Sequence, residues 1–246
     1  MQKRPLMIQG ALQSEIETLL KIFSPYRKSQ VGGFVFYECE YRGYPVVIAK
    51  TKMGEIAAAI STTLAIERYC PAWIVNQGTA GALTENHRTG DLIVGTSVRY
   101  FSQYATAEDR DRDCLNPWKS DGYRTVDGEV LSLDTNDAFL KWITSLAPDF
   151  EGQVTFDVLG SGDVWSKTKD EIAYRHGCTG AVSESMECTG AYMAANSLGV
   201  PLVSVRVVSN NELLGEVYDP DSGKIAQRFA RLLVDAWIDL GENTPF

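Results

Sequence analysis

Residues 181–212 read AVSESMECTGAYMAANSLGVPLVSVRVVSNNE, and the fold follows from how this stretch changes character. An Ala- and Gly-rich helical run opens at Glu187 and breaks at Leu198-Gly199-Val200-Pro201; residues 202–208 are then a hydrophobic strand that ends in Ser209-Asn210-Asn211. Helix and strand in close alternation build a parallel α/β sheet. Ligands of such sheets bind beyond the carboxyl ends of the strands, so the polar end is where a site is expected. Arg206 interrupts the run of Val and Leu. A buried guanidinium needs an anionic partner, and Glu187 is the nearest suitable carboxylate in the sequence.

Working outward, residues 6–9 read as a short buried strand closed by Gly10, and a helix follows with Ser14 near its N-cap and Ile16, Leu19, Leu20 and Phe23 on one face. Residues 34–41 and 44–50 flank Arg42-Gly43, the pattern of a hairpin, which introduces an antiparallel pair. Residues 54–69 form a helix halted by Pro71, and residues 73–76 a strand that runs into Gly78-Thr79-Ala80-Gly81, read as a tight Gly-rich turn. Strands at 91–100 and 154–159, helices at 134–147 and 168–176, and an amphipathic helix at 223–240 complete the pattern, the last with Ile225, Phe229, Leu232, Leu233 and Trp237 inward. Residues 101–123 form a long polar segment with Pro117 and Trp118 as candidate anchors. The strand ends after Gln9, Asn76, Leu159 and Val208 are expected on one edge of the sheet, around a single site.

The chain has 246 residues, 44% hydrophobic and 22% charged, enough to bury a sizeable core in one domain spanning 1–246, with no linker or repeat dividing it. Its net charge of -9 argues against nucleic acid or an anionic membrane as partner. Five cysteines without metal-like spacing read as free thiols, and two histidines leave little for a metal site or a catalytic triad. With no signal-like or membrane-spanning run, the expectation is a cytoplasmic protein.

The segments GALQSEIETLL, MGEIAAA, IVNQGTAGAL, GDLIV, SGDVW, SMECTGAYMAA and VRVVSN occur in this order over residues 5–240. In them the chain resembles the methylthioadenosine/S-adenosylhomocysteine nucleosidases, within the purine nucleoside phosphorylase superfamily. The resemblance implies an α/β fold, a three-layer α/β/α sandwich with a mixed central sheet, usually a homodimer. It also implies cleavage of the N-glycosidic bond of a small-molecule purine nucleoside with no metal or organic cofactor.

Carried over by position, the resemblance makes Glu15 the acid that activates water and Glu187 the acid that holds the ribose hydroxyls, with Met186 packing on the sugar and Arg206 orienting Glu187. Trp165 falls beside the purine, Thr79, Ala80 and Gly81 along sugar and base, and Met53 near the 5′ substituent. Glycosidic cleavage passes through a cationic, oxocarbenium-like sugar, which a carboxylate stabilises while deprotonating water. Without the resemblance, Glu15 reads as a solvated residue of a first helical turn, and Glu187 with Arg206 as a structural ion pair.

The sequence departs from the family at Ser209-Asn210, where the nucleosidases carry Ser-Asp and the Asp protonates N7 of adenine. Asn210 cannot deliver a proton as an acid. Its amide offers two N–H donors, which suit N7 and O6 of a 6-oxopurine, so a hypoxanthine- or guanine-type base is expected, as in futalosine hydrolases. A phosphorylase is the alternative, although Gly10-Ala11-Leu12-Gln13 supplies no Arg for phosphate. A nucleoside-binding protein without catalysis is the alternative of a different class.

Overall fold

In the first strand, Leu6 and Ile8 face one apolar cluster and Met7 the opposite one, the period-two alternation of a strand buried on both sides. The computed structural model describes residues 3–102 and 131–241. In chain order these form β1 (Leu6–Gly10), α1 (Glu17–Ile22), β2 (Tyr26–Val31), β3 (Phe34–Tyr41), β4 (Tyr44–Lys50), α2 (Glu55–Tyr69), β5 (Trp73–Ala82), β6 (Leu92–Tyr100), β7 (Ser132–Asp134), α3 (Asp137–Leu146), β8 (Val154–Ser161), α4 (Lys169–Thr179), β9 (Ser183–Ser185), α5 (Cys188–Ser197), β10 (Leu202–Asn210) and α6 (Gly223–Leu240).

Among the described residues the strands make one mixed sheet in the order β10-β6-β8-β9-β5-β1-β4-β3-β2, with β7 beside β6. One face carries α1, α3 and α6, whose Leu19, Phe139, Phe229, Leu233 and Trp237 pack on Ile8, Trp73, Val75 and Val205. The other carries α2 and α5, whose Ala65, Ile66, Ala191 and Tyr192 pack on Met7, Ile74 and Ile93. The result is the three-layer α/β/α arrangement expected from the sequence.

Several details differ from the sequence reading. Gly78-Thr79-Ala80-Gly81 is not a turn: β5 runs to Ala82, because β10 pairs with it through Gly81 and β9 pairs at Gly81 and Ala82. The β10–β5 pairing also closes β10, β6, β8, β9 and β5 into a ring. The four strand ends do not share one edge. β1, β5 and β10 are mutually parallel, but β6 runs antiparallel to β10 and β8 parallel to β6. β8 therefore points the opposite way, and its end meets the end of β5 through β9, which pairs with both.

Ser14 does not cap α1, which begins at Glu17 after Ile16 and has no side-chain cap of its own. The cap comes from α6 instead. The buried Gln227 amide accepts from Thr18 N at 2.9 Å and Leu19 N at 3.3 Å and donates to Ser14 O at 2.9 Å. Of the inward face expected on α6, Phe229, Leu233 and Trp237 are buried, while Ile225 and Leu232 pack at its margin. Most of the polar segment 101–123, with Pro117 and Trp118, lies outside the described residues.

Candidate active site

A cavity of about 390 Å³ opens where β1, β5 and β10 end and the loops after β8 and β9 cross them. Glu15, Met53, Thr79, Ala80, Gly81, Trp165, Met186, Glu187, Ser209 and Asn210 all line it. Arg206 stands behind Glu187 rather than on the surface of the cavity, with its guanidinium Nη2 3.8 Å from Glu187 Oε2. Both histidines point elsewhere, His87 bonded to Thr84 and His176 to Ala181 O.

Glu15 is buried in the tight turn between β1 and α1. Its Oε2 accepts from Ala11 N at 2.8 Å and Leu12 N at 3.0 Å, and its Oε1 from Thr79 N at 3.0 Å and Thr79 Oγ1 at 3.3 Å. Its main chain is tied as well, since Gln77 Nε2 donates to Glu15 O at 2.7 Å. Gly78 makes room for the carboxylate: a Cβ there would lie 2.8 Å from Oε1. Four donors on one carboxylate overdetermine its position, which a solvated first-turn residue would not require.

Glu187 is the N-cap position of α5. Gly54 N and Met186 N donate to it at 3.4 and 3.3 Å, long contacts that leave much of its acceptor capacity for a ligand. Burial pushes its carboxyl up to about 7, opposed by Arg206 and Gly54 N and reinforced by Glu15 and Glu55. Arg206 is fixed from its other side by Asn76, with Nη1 donating to Asn76 O at 2.9 Å and Nη2 to Asn76 Oδ1 at 2.6 Å. The charge partnership expected from the sequence is therefore present, and it carries a backbone clamp to β5 as well.

Ser209 Oγ lies 3.0 Å from Asn210 Oδ1 and 3.1 Å from Ala80 O. Asn210 lines the cavity over Gly81, where a Cβ would sit 3.5 Å from its Nδ2 and 3.7 Å from its Oδ1, the oxygen that the Ser209 hydroxyl bonds. Trp165 is half exposed at the mouth, 6.1 Å from the Tyr218 ring between centroids, and Lys167 Nζ stands 4.9 Å over its ring.

Sequence reasoning missed Glu55, Glu184 and Tyr218. Glu55 supports α5 from below: Ser161 Oγ and Gly190 N both donate to its buried carboxylate. Glu184 lies on the cavity wall, takes hydrogen bonds from Ser166 N and Oγ, and has Arg175 Nε 3.8 Å away. Burial raises its carboxyl, with Ser166 and Arg175 opposing. Its signal was available, a lone acid among Ala, Val and Ser two residues before Met186, but only strand register reveals that it faces the cavity. Tyr218 sits in an irregular loop with no periodic signal.

The family model that describes the phosphorylase superfamily matches residues 5–238. The chain belongs to that superfamily. Among curated proteins it is 28% identical over 244 residues to a 5′-methylthioadenosine/S-adenosylhomocysteine nucleosidase of Psychromonas ingrahamii, covering 94% of this chain and 97% of that one. Among solved structures it is similar to the futalosine hydrolase of Helicobacter pylori, with a TM-score of 0.80, 19% identity, and 95% and 98% of the two chains covered. It is equally similar to the 5′-methylthioadenosine/S-adenosylhomocysteine nucleosidase of Neisseria meningitidis in complex with methylthio-immucillin-A, with a TM-score of 0.79, 20% identity, and 95% and 99% covered. At these identities the structural likeness speaks for the fold, a phosphorylase-superfamily α/β sandwich.

Among the described residues no helix is long and apolar enough to cross a membrane. No group of three or more His, Cys, Asp or Glu among them could hold a metal ion.

Proposed function

We propose that this protein is a purine nucleosidase that hydrolyses the N-glycosidic bond, with a preference for 6-oxopurine nucleosides. The observation that carries the hydrolytic reading is the lining of the cavity: three carboxylates, Glu15, Glu184 and Glu187, and, among the described residues, no Arg, Lys or His. Phosphate in such a cavity would meet like charge and no guanidinium. Water meets a fixed base. Relatives that carry nucleosidase names support the same class.

In this reading Glu187 accepts the ribose hydroxyl protons, strong contacts for a charged acceptor, and Arg206 keeps it oriented. Glu15 stabilises the positive charge that grows on the sugar and takes a proton from the attacking water. The water oxygen bonds to the anomeric carbon as the bond to N9 breaks, and the bonding electrons leave with the purine. Asn210 supplies no proton. Its N–H groups stabilise charge spread over N7 and O6 of a 6-oxopurine leaving group, which then collects a proton from solvent. Trp165 and Tyr218 cover the outer side, and Met53 borders the 5′ substituent.

The reading carries a homodimer with it. Met53, Ile56 and Ile60 stand 59%, 73% and 46% exposed at the mouth and along α2, an apolar face that a second copy would bury. A cytoplasmic location and a single domain over the chain belong to the same proposal.

The test is a panel of inosine, guanosine, futalosine, methylthioadenosine and S-adenosylhomocysteine, each with and without phosphate. Base and free sugar released without phosphate, faster from 6-oxopurine nucleosides, support the reading. Turnover only with phosphate makes the protein a phosphorylase, and faster release of adenine removes the base preference. Binding without any turnover, unaffected by Glu15→Gln, makes it a binding protein.

A further inference from the structure

Glu187 holds the N-cap position of α5, yet its side chain does not cap the helix. An N-cap side chain ordinarily accepts from the N–H of the second or third helical residue, here Thr189 and Gly190. Both amides are satisfied from other elements. Gly190 N donates to Glu55 Oε2 of α2, and Thr189 N donates at 3.2 Å to Ser161 Oγ of β8, whose hydroxyl in turn donates to Glu55 Oε1. These two oxygens take the donors that would otherwise draw the Glu187 carboxylate back onto its own helix, and that carboxylate lines the cavity instead.

The first turns of α2 and α5 are pressed together to allow this. A Cβ on Gly190 would lie 2.0 Å from Glu55 O and 3.1 Å from Ala59 N, so only glycine admits the main chain of α2 this closely. Asp163 fixes the start of α2, its Oδ1 accepting from Glu55 N at 2.9 Å. The adjoining Gly54 N donates to Glu187 Oε1 at 3.4 Å. One turn of α2 therefore supplies both a cap for α5 and a donor to the residue that the cap sets free.

We propose that Glu55 is a positioning residue for Glu187: with Ser161 it caps α5 in place of the N-cap side chain, and so leaves the Glu187 carboxylate free to take the ribose hydroxyls. The proposal rests on the reading of Glu187 as the ribose-holding acid. Without Glu55 and Ser161, two amides at the buried start of α5 lose their partners, and the N-cap carboxylate is the group placed to replace them. A carboxylate turned to its own helix no longer meets the ribose. Glu55 itself is not among the residues that line the cavity. Burial raises its carboxyl, with Ser161 and Gly190 N opposing. The cap therefore depends on its oxygens more than on a full charge, and glutamine, which keeps one of them as a carbonyl, is the conservative replacement.

Binding that depends on the ribose hydroxyls separates positioning from a general brace. The protein carrying Glu15→Gln, in which turnover is held back, serves as the reference. Three ligands are titrated into it: inosine or adenosine, whichever the wild type prefers, its 2′,3′-dideoxy analogue, and the free base. The reference binds the nucleoside at least about tenfold more tightly than the dideoxy analogue, the worth of hydrogen bonds to a charged acceptor. Adding Glu55→Ala lowers this ratio by at least about fivefold while the free-base affinity stays within about threefold. Adding Glu55→Gln keeps the ratio within about twofold of the reference. Ser161→Ala, which removes a single hydroxyl, lowers the ratio by about threefold or more and decides the matter where Glu55→Ala does not fold.

An undiminished ratio in Glu55→Ala or in Ser161→Ala overturns the proposal, as does a Glu55→Gln protein that loses as much as Glu55→Ala. Equal losses of nucleoside and free-base affinity overturn it too, because they mark a brace for the whole pocket. A ratio near one in the reference protein removes the ribose role of Glu187 itself, and the proposal with it. A high reference ratio that the variants leave unmoved overturns the positioning role alone.

Discussion

Replacing Gly78 by Ala perturbs the proposed general base without altering it. The added Cβ would stand 2.8 Å from Glu15 Oε1 and 3.2 Å from its Cδ, where ordinary contact begins at 3.4 Å. The carboxylate must then withdraw by about 0.6 Å, the difference between 3.4 and 2.8 Å. It cannot do so freely, because Ala11 N, Leu12 N, Thr79 N and Thr79 Oγ1 all hold it. Gly78 is not among the residues with positive φ, so the backbone accepts Ala and the substitution acts through the contact alone.

A displacement of this size at a reacting group costs about 10- to 100-fold in rate. The loss of one hydrogen bond costs about 1 kcal/mol, a melting shift of about 2–4 °C for a chain of this length. Steady-state kinetics on the best substrate of the panel, beside a thermal melt, is the assay. The expectation is a kcat lower by about 10- to 100-fold with KM within about threefold, since the ribose and base contacts are untouched. A folded Gly78→Ala protein with wild-type kcat would refute the argument that the position of Glu15 sets the rate.

Asn210→Asp introduces an acid where the proposed function puts N7, and the ratio of kcat/KM for adenine over hypoxanthine nucleosides should rise by about tenfold or more, measured in parallel progress curves. Gln227→Ala leaves the start of α1 uncapped and Ser14 O unbonded; a loss of about 1–3 kcal/mol in urea unfolding is expected, together with lower kcat from a looser Glu15 turn. For Glu187, burial raises the carboxyl to about 7 from 4.5, with Glu15 and Glu55 adding to it and Arg206 opposing. The folded protein therefore binds more protons than the unfolded chain between these values, so the stability from this group is complete below about pH 4.5 and is lost as pH rises through about 7. If Glu187 holds the ribose hydroxyls as proposed, binding needs the ionised form, and kcat/KM should rise over the same interval. A pH–rate profile flat from pH 5.5 to 8 would contradict the role given to Glu187, the interval being about 1.5 units below to 1 above its midpoint.

How much of this was legible in the sequence depended on whether a residue acts locally. The β3–β4 hairpin and the bounds of α2 and α6 follow from turn residues and apolar periodicity, and they appear at the expected positions. Arg206 stood out as a charge inside an apolar run, Glu187 as the acid that opens a helical run and Asn210 as part of a polar strand end, and the structure brings Glu187 and Asn210 to one cavity with Arg206 directly behind Glu187. Gly78-Thr79-Ala80-Gly81 looked like a turn because glycine weakens strand propensity. Lateral pairing with β9 and β10 overrides that, and pairing across about 100 residues leaves no local trace. The cap of α1 by Gln227, about 210 residues away, and the approach of Glu184 to Asn210 across Gly81 are hidden for the same reason.

The measurement that tests the central claim most directly is turnover of a 6-oxopurine nucleoside in phosphate-free buffer by the wild type and by Glu15→Gln. The account predicts hypoxanthine and free sugar in equal amounts from the wild type, and a kcat lower by about 10²–10⁴-fold in Glu15→Gln with base binding retained. No turnover until phosphate is added, or a Glu15→Gln protein as fast as the wild type, would contradict it.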